Sequence, residues 1–103
     1  MADLEISGKG MDECLKSDVC IVDFFAEWCM PCMMMAPIIE EMDEKFPKIK
    51  FAKLNIDENK ALAEKHEVMS IPTLIVFKKG KEIDRFVGMQ PAEVLEEKLK
   101  KLK

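Results

Sequence analysis

The sequence predicts an α/β fold with a central mixed β-sheet and helices on both faces, and three observations predict it. Residues 19–26 are apolar on both faces apart from Asp23, the pattern of a strand covered from both sides. Strand-like runs alternate with helical stripes along most of the chain, as in layered α/β structure. Near the C-terminus two strand-like runs flank Lys78-Lys79-Gly80-Lys81, which adds an antiparallel hairpin to the sheet. A length of 103 residues predicts one domain, 1–103, with a single core.

Each element has its own signal. Leu4-Glu5-Ile6 alternates briefly, enough for an edge strand, and Ser7-Gly8-Lys9-Gly10 is expected to break it. Met11 to Lys16 supplies one or two helical turns with Met11, Cys14 and Leu15 on one face. Residues 19–26 then form the central strand. Residues 33–46 carry apolar side chains at 34, 35, 38, 39, 42 and 46, a helical stripe opposed by Glu40, Glu41, Asp43, Glu44 and Lys45. Pro37 lies inside that helix, removes one backbone donor and predicts a kink.

Residues 49–56 alternate as a strand, with Lys53 on a mostly apolar segment. Asn59 is placed to cap a helix running to His66, with Ala61, Leu62 and Lys65 at helical spacing. Residues 73–77 are β-branched and aromatic, residues 78–81 turn, and residues 82–87 return. After Gly88, Pro91 fits the first turn of a last helix, and Leu95, Leu99 and Leu102 give its buried face. In that helix Glu93, Glu96 and Glu97 precede Lys98, Lys100, Lys101 and Lys103, a charge order that complements the helix dipole. The predicted order is β-α-β-α-β-α-β-β-α.

Composition removes several function classes. With 49% hydrophobic and 35% charged residues, the chain reads as a soluble globule rather than a disordered segment. The net charge is −4, Lys and Glu are interleaved, and no basic stripe with aromatics appears, so no nucleic-acid partner is expected. No apolar run reaches the length of a membrane span. Residues 1–6 have neither a basic nor an apolar leader segment, which predicts a cytoplasmic location. There the four cysteines are expected to be reduced, favouring a working thiol pair over a disulfide framework.

The chemistry points to Trp28-Cys29-Met30-Pro31-Cys32, at the junction of the central strand and the long helix. Two cysteines three positions apart in a first helical turn can bond, and the free N–H groups of that turn favour a thiolate. Cys29, at the exposed helix start, is the candidate nucleophile and Cys32 the resolving thiol. Alone, a C-x-x-C reads nearly as well as half of a zinc site or as two core cysteines. Burial of Asp23 predicts a raised pKa, and its strand neighbour Lys53 is a candidate ion-pair partner.

Context decides between these readings. Trp-Cys-x-Pro-Cys after Val-Asp-Phe-Phe-Ala-Glu, with Ala36-Pro37, Lys53-Leu54-Asn55-Ile56-Asp57, Ser70-Ile71-Pro72-Thr73 and Phe86-Val87-Gly88, resembles the thioredoxin family from about Val19 to the C-terminus. The resemblance implies the thioredoxin fold and reduction of protein disulfides through a reversible Cys29-Cys32 dithiol/disulfide cycle. It implies that Asp23 accepts the proton of Cys32 with Lys53 tuning it, and that Pro72 is cis and packs against the disulfide. It implies substrate contact through Trp28, Met30, Pro31, Met69, Ile71, Gly88 and Met89. No bound cofactor or metal is expected beyond the redox-active disulfide. The implied partners are disulfide-containing proteins and a thioredoxin reductase or equivalent electron donor, with the chain acting as a monomer. The alternatives are a disulfide oxidase or isomerase of the same fold, and a binding module with incidental thiols.

Several residues depart from that family pattern or stand outside it. Met30 occupies the usual glycine position, and Met33 replaces a common lysine, whose missing charge predicts a higher Cys29 pKa. Met34, Met35 and Met42 are expected to fill the core, whereas Met30, Met69 and Met89 are expected to form a soft rim around Cys29. Cys14 and Cys20 are expected to be buried reduced thiols; a disulfide between them, or a four-cysteine metal site with Cys29 and Cys32, is the disfavoured reading. His66 is expected to pack or to lie on the surface.

Overall fold

The computed structural model describes residues 5–6 and 8–102. Its elements are β1 (Glu5–Ile6), α1 (Gly8–Leu15), β2 (Val19–Phe25), α2 (Met30–Lys45), β3 (Lys50–Asn55), α3 (Lys60–Lys65), β4 (Thr73–Lys78), β5 (Lys81–Val87) and α4 (Ala92–Lys100). This is the predicted order. Leu4 and Ser7, assigned to the opening strand and the break after it, and Lys103 lie outside the described residues.

The sheet runs β1-β3-β2-β4-β5, so β2 is the middle strand, parallel to β3 and antiparallel to β4. That position explains a run with no polar face: all seven residues of β2 are buried. Its side chains alternate between two cores. Cys20, Val22 and Phe24 pack with Met11, Cys14, Leu54, Ile75 and Phe77 under α1, whereas Val19 and Ile21 pack with residues of α2 and α4 such as Met35, Ile39, Met42, Leu95 and Leu99. Burying each of these large side chains stabilises the fold by about 1.5–3 kcal/mol.

Helix α1 includes Gly8 and Gly10, which were expected to break the chain. Glycine costs about 1 kcal/mol in a helix, but α1 buries Met11 and Cys14 against the sheet, and that packing prevails. Helix α2 begins at Met30 and runs through Pro37, burying Cys32, Met35, Ile39 and Met42. Met34 is not core as expected: it is 56% exposed, because one residue is about 100° around the helix from that buried stripe. In α3 the buried side is Ala63 with half-buried Leu62 and His66, not Ala61 and Lys65. Asn59 takes the N-cap position without a capping bond, and its amide donates to the Asn55 carbonyl at 3.0 Å instead. Pro91 precedes α4 as its N-cap rather than entering its first turn. The end of α3 is held by Arg85, whose guanidinium donates to the carbonyls of His66 at 2.7 Å and Glu67 at 3.2 Å.

A further correction concerns the cysteines outside the motif. Cys14 and Cys20 are joined in a disulfide, with Cα atoms 5.7 Å apart, where reduced thiols were expected. The inward face of α1 and the inward face of β2 bring them together across one short turn, so the disfavoured alternative of a bond between them is the one formed. The two cysteine pairs lie in different clusters, and among the described residues no group of three or more His, Cys, Asp or Glu side chains is placed to hold a metal. Among these residues, no helix is long and apolar enough to cross a membrane.

Candidate active site

The site is built where β2 hands over to α2. Cys29 is the N-cap of α2 in an extended conformation, and the Cys32 N–H donates to its Sγ at 3.2 Å. A helix start leaves such donors unpaired, so a sulfur placed there is favoured as a thiolate when the pair is reduced. Pro31, in the first turn, lacks an N–H that the helix would not have used. Cys29 and Cys32 are bonded as a disulfide, with Cα atoms 5.3 Å apart. Cys29 is more buried than expected, at 5% exposure, since it packs with Phe25, Ala26 and Ile71.

The segments before β4 and after β5 complete the surroundings. The Ile71-Pro72 peptide bond is cis, Pro72 is buried, and the Ile71 carbonyl oxygen lies 4.0 Å from the Cys29 Sγ. Gly88, at φ +87°, donates its N–H to the Pro72 carbonyl at 2.8 Å. This bond joins the end of β5 to the proline and brings Met89 to the same end of the sheet. Positive φ is what requires glycine at this point.

The polar groups behave in two ways. Asp23 is 1% exposed, and among the described residues neither of its carboxylate oxygens has a hydrogen-bond partner. Burial pushes its pKa up to about 7, against an opposing pull from Lys53. Lys53 stands directly across from Asp23 in the β2–β3 register, but the expected ion pair is not made. Its ammonium instead lies over the Phe25 ring, 4.6 Å from the centroid. His66 packs beside Phe24 and Phe77 on the α1 face, and its pKa is lowered chiefly by that burial.

The apolar side chains expected at the surface are there. Trp28, Met30, Met69 and Met89 are exposed, Met69 at 93%, and Met33 and Met34 extend the exposed thioethers along α2. The Trp28 Nε1–H donates to Asp57 Oδ2 at 2.8 Å, and the Asp57 N–H in turn donates to Asn55 Oδ1 at 2.9 Å. Asp57 and Phe25 are the two residues that sequence reasoning left without a role. Asp57 lies within the Lys53-to-Asp57 motif and Phe25 within Val22-Asp23-Phe24-Phe25-Ala26-Glu27, but neither motif says what the side chain touches.

Comparison with known proteins agrees with this geometry. The thioredoxin family model matches residues 5–101. The chain is 49% identical over 102 residues to thioredoxin of Staphylococcus haemolyticus, covering 98% of each chain. It is also 49% identical over 90 residues to thioredoxin of Chlamydia pneumoniae, covering 87% of this chain and 88% of that one. Among solved structures, a single-site mutant of thioredoxin from Halobacterium salinarum superposes with a TM-score of 0.91 at 32% identity, covering 99% of this chain and 95% of that one. The chain therefore belongs to the thioredoxin family and is a thiol–disulfide oxidoreductase that acts as a disulfide reductase.

Proposed function

We infer that the reduction runs through Cys29 and Cys32 and that its substrates are protein disulfides. The Cys29 thiolate attacks one substrate sulfur, forming a mixed disulfide and releasing the other substrate sulfur as a thiolate. Asp23 takes the proton of Cys32, and Cys32 then attacks the Cys29 sulfur. That step forms the Cys29-Cys32 disulfide and releases the second substrate thiolate. The substrate gains two electrons and the protein loses two, which a thioredoxin reductase or an equivalent donor restores. An acid with its pKa near 7 can accept and return a proton at neutral pH, which suits both directions of the cycle.

Lys53 tunes Asp23, and Pro72 lies against the sulfur pair. Ile71 offers its backbone to the substrate chain, and Trp28, Met30, Pro31, Met69, Gly88 and Met89 supply apolar contact. The chain works as one domain spanning residues 1–103, as a monomer in the cytoplasm, with no cofactor besides its redox-active disulfide. The observation that carries this reading is the placement of the Cys29 sulfur at the N-terminus of α2, receiving the Cys32 N–H at 3.2 Å. Insulin reduction by the wild type, Cys29→Ser and Cys32→Ser tests it. Cys29→Ser is expected to fall to background, and Cys32→Ser to accumulate a mixed disulfide with insulin visible by mass. Turnover by Cys29→Ser would overturn the reading.

A further inference from the structure

Asp23 and Lys53 face each other across neighbouring strands, one of them an unpartnered buried acid, yet they do not bond. Sequence offers no reason for this. Two residues along β2, Phe25 shares the face of Asp23 because side chains on a strand alternate. The Lys53 ammonium rests on the Phe25 ring, 4.6 Å from its centroid, within the range of a favourable cation–π contact. The ring is buried and packs with Ala26, Cys29 and Cys32, so its position is held by the active-site cluster itself.

We propose that Phe25 is a positioning residue that holds the Lys53 ammonium off the Asp23 carboxylate, so that the acid is left without a bonded cation. This rests on the reading that Asp23 handles the proton of Cys32. The remaining neighbours of Asp23 offer it no charge. On β4 the residue across from it is Leu74. The helices over this face contribute Met35, Ile39 and Met42 from α2 and Leu95 and Leu99 from α4, and Cys32 is the titratable group that α2 brings to the adjoining cluster. Among the described residues, Lys53 is the single charge that acts on Asp23. Where its ammonium sits therefore decides how readily the acid ionises. A bonded ammonium would lock Asp23 in its charged form and weaken it as a base; an ammonium parked on the ring leaves the proton exchangeable near neutral pH.

The test is a carbon-13 NMR titration of the Asp23 carboxyl in the oxidised protein, which requires no turnover. In Phe25→Leu, with the ring gone, the ammonium closes on the carboxylate and the midpoint falls by about 1 pH unit or more, as for an acid beside a bonded cation. Phe25→Trp keeps an aromatic face and holds the midpoint near that of wild type. Lys53→Met raises the midpoint, and in that background Phe25→Leu has no further effect. An unchanged or raised midpoint in Phe25→Leu overturns the proposal, as does an equal fall in the Lys53→Met background. Should Phe25→Leu not fold, Phe25→Met supplies the same loss of the ring with more of its volume retained. The pH profile of mixed-disulfide resolution is then measured on the same variants. A midpoint that moves while the profile stays fixed supports the role of Phe25 and removes Asp23 from proton handling.

Discussion

The two cysteine pairs of this protein are built alike and placed differently. Both are bonded, their Cα separations are 5.3 and 5.7 Å, and all four residues are nearly or fully buried. Cys14–Cys20 joins the inward faces of α1 and β2 inside an apolar cluster of Met11, Val22, Phe24, Leu54, Ile75 and Phe77. Cys29–Cys32 has a helix N–H on one sulfur, a carbonyl at 4.0 Å, an unpartnered acid on the strand leading into it and exposed methionines beside it. Bonding geometry alone therefore does not make a redox site. A helix N–H on the sulfur, a buried acid on the preceding strand and exposed apolar side chains distinguish the second pair from the first.

Deleting each pair in turn breaks this comparison most sharply. Replacing Cys29 and Cys32 by alanine is expected to abolish disulfide reduction. Replacing Cys14 and Cys20 by alanine is expected to leave reduction within about twofold, while lowering stability by roughly 2 kcal/mol, the loop-closure contribution of so short a loop. Insulin reduction and guanidinium unfolding under non-reducing conditions read the two effects. If the folded Cys14→Ala/Cys20→Ala variant turned over tenfold more slowly, the division between structural and working pairs would fail.

The next effect comes from Asp23, the one buried acid among the described residues. Its pKa rises from 3.8 in the unfolded chain to about 7 in the folded protein, so between those values the folded protein holds the proton more tightly. The stability that Asp23 contributes is therefore fully present below about pH 4, declines as pH rises toward 7, and is lost above it. A difference of about three pH units corresponds to about 4 kcal/mol. Asp23→Asn cannot ionise and should be more stable than wild type at pH 8, by an amount approaching that figure less the cost of burying an amide. At pH 4 the two should nearly coincide. Denaturant midpoints at both pH values test this, and equal differences at the two would contradict it. The same variant should resolve its mixed disulfide more slowly.

What could be read from the sequence was whatever repeats along the chain or sits in a contiguous motif. The central position of β2 followed from apolar residues on both its faces, and the hairpin of β4 and β5 from a turn between two strand-like runs. The sulfur pair followed from its spacing at a strand-to-helix junction. Contacts between distant residues left no such trace. Trp28 and Asp57 are 29 positions apart, and the Lys53 ammonium turns to Phe25 although its register partner is Asp23. Gly8 and Gly10 read locally as a break, and only the packing of Met11 and Cys14 against the sheet makes them helical. Asn59 stands at the right place for a cap but bonds backward to Asn55, a choice set by the turn before α3.

The smallest expected effect concerns the approach to the working pair, a feature Cys14–Cys20 lacks. Met30 follows Cys29 directly, Met69 lies two residues before the Ile71 carbonyl, and Met89 follows the glycine bonded to Pro72, so all three are tied to the sulfur through short segments. Each is exposed, although a large apolar side chain is stabilised by burial. Unbranched thioethers can reshape around different partners, and a substrate chain covering them would bury apolar surface that a small disulfide does not reach. If each contributes about 0.5 kcal/mol at a protein interface, Met30→Ala, Met69→Ala and Met89→Ala together cost about 1.5 kcal/mol, or roughly tenfold. Reduction of insulin should fall by that factor while reduction of a small aromatic disulfide changes less than about twofold, because the sulfurs, the helix N–H and Asp23 are untouched. Equal losses on both substrates would mean that the methionines act on the sulfur chemistry itself, and the rim would lose its role in partner contact.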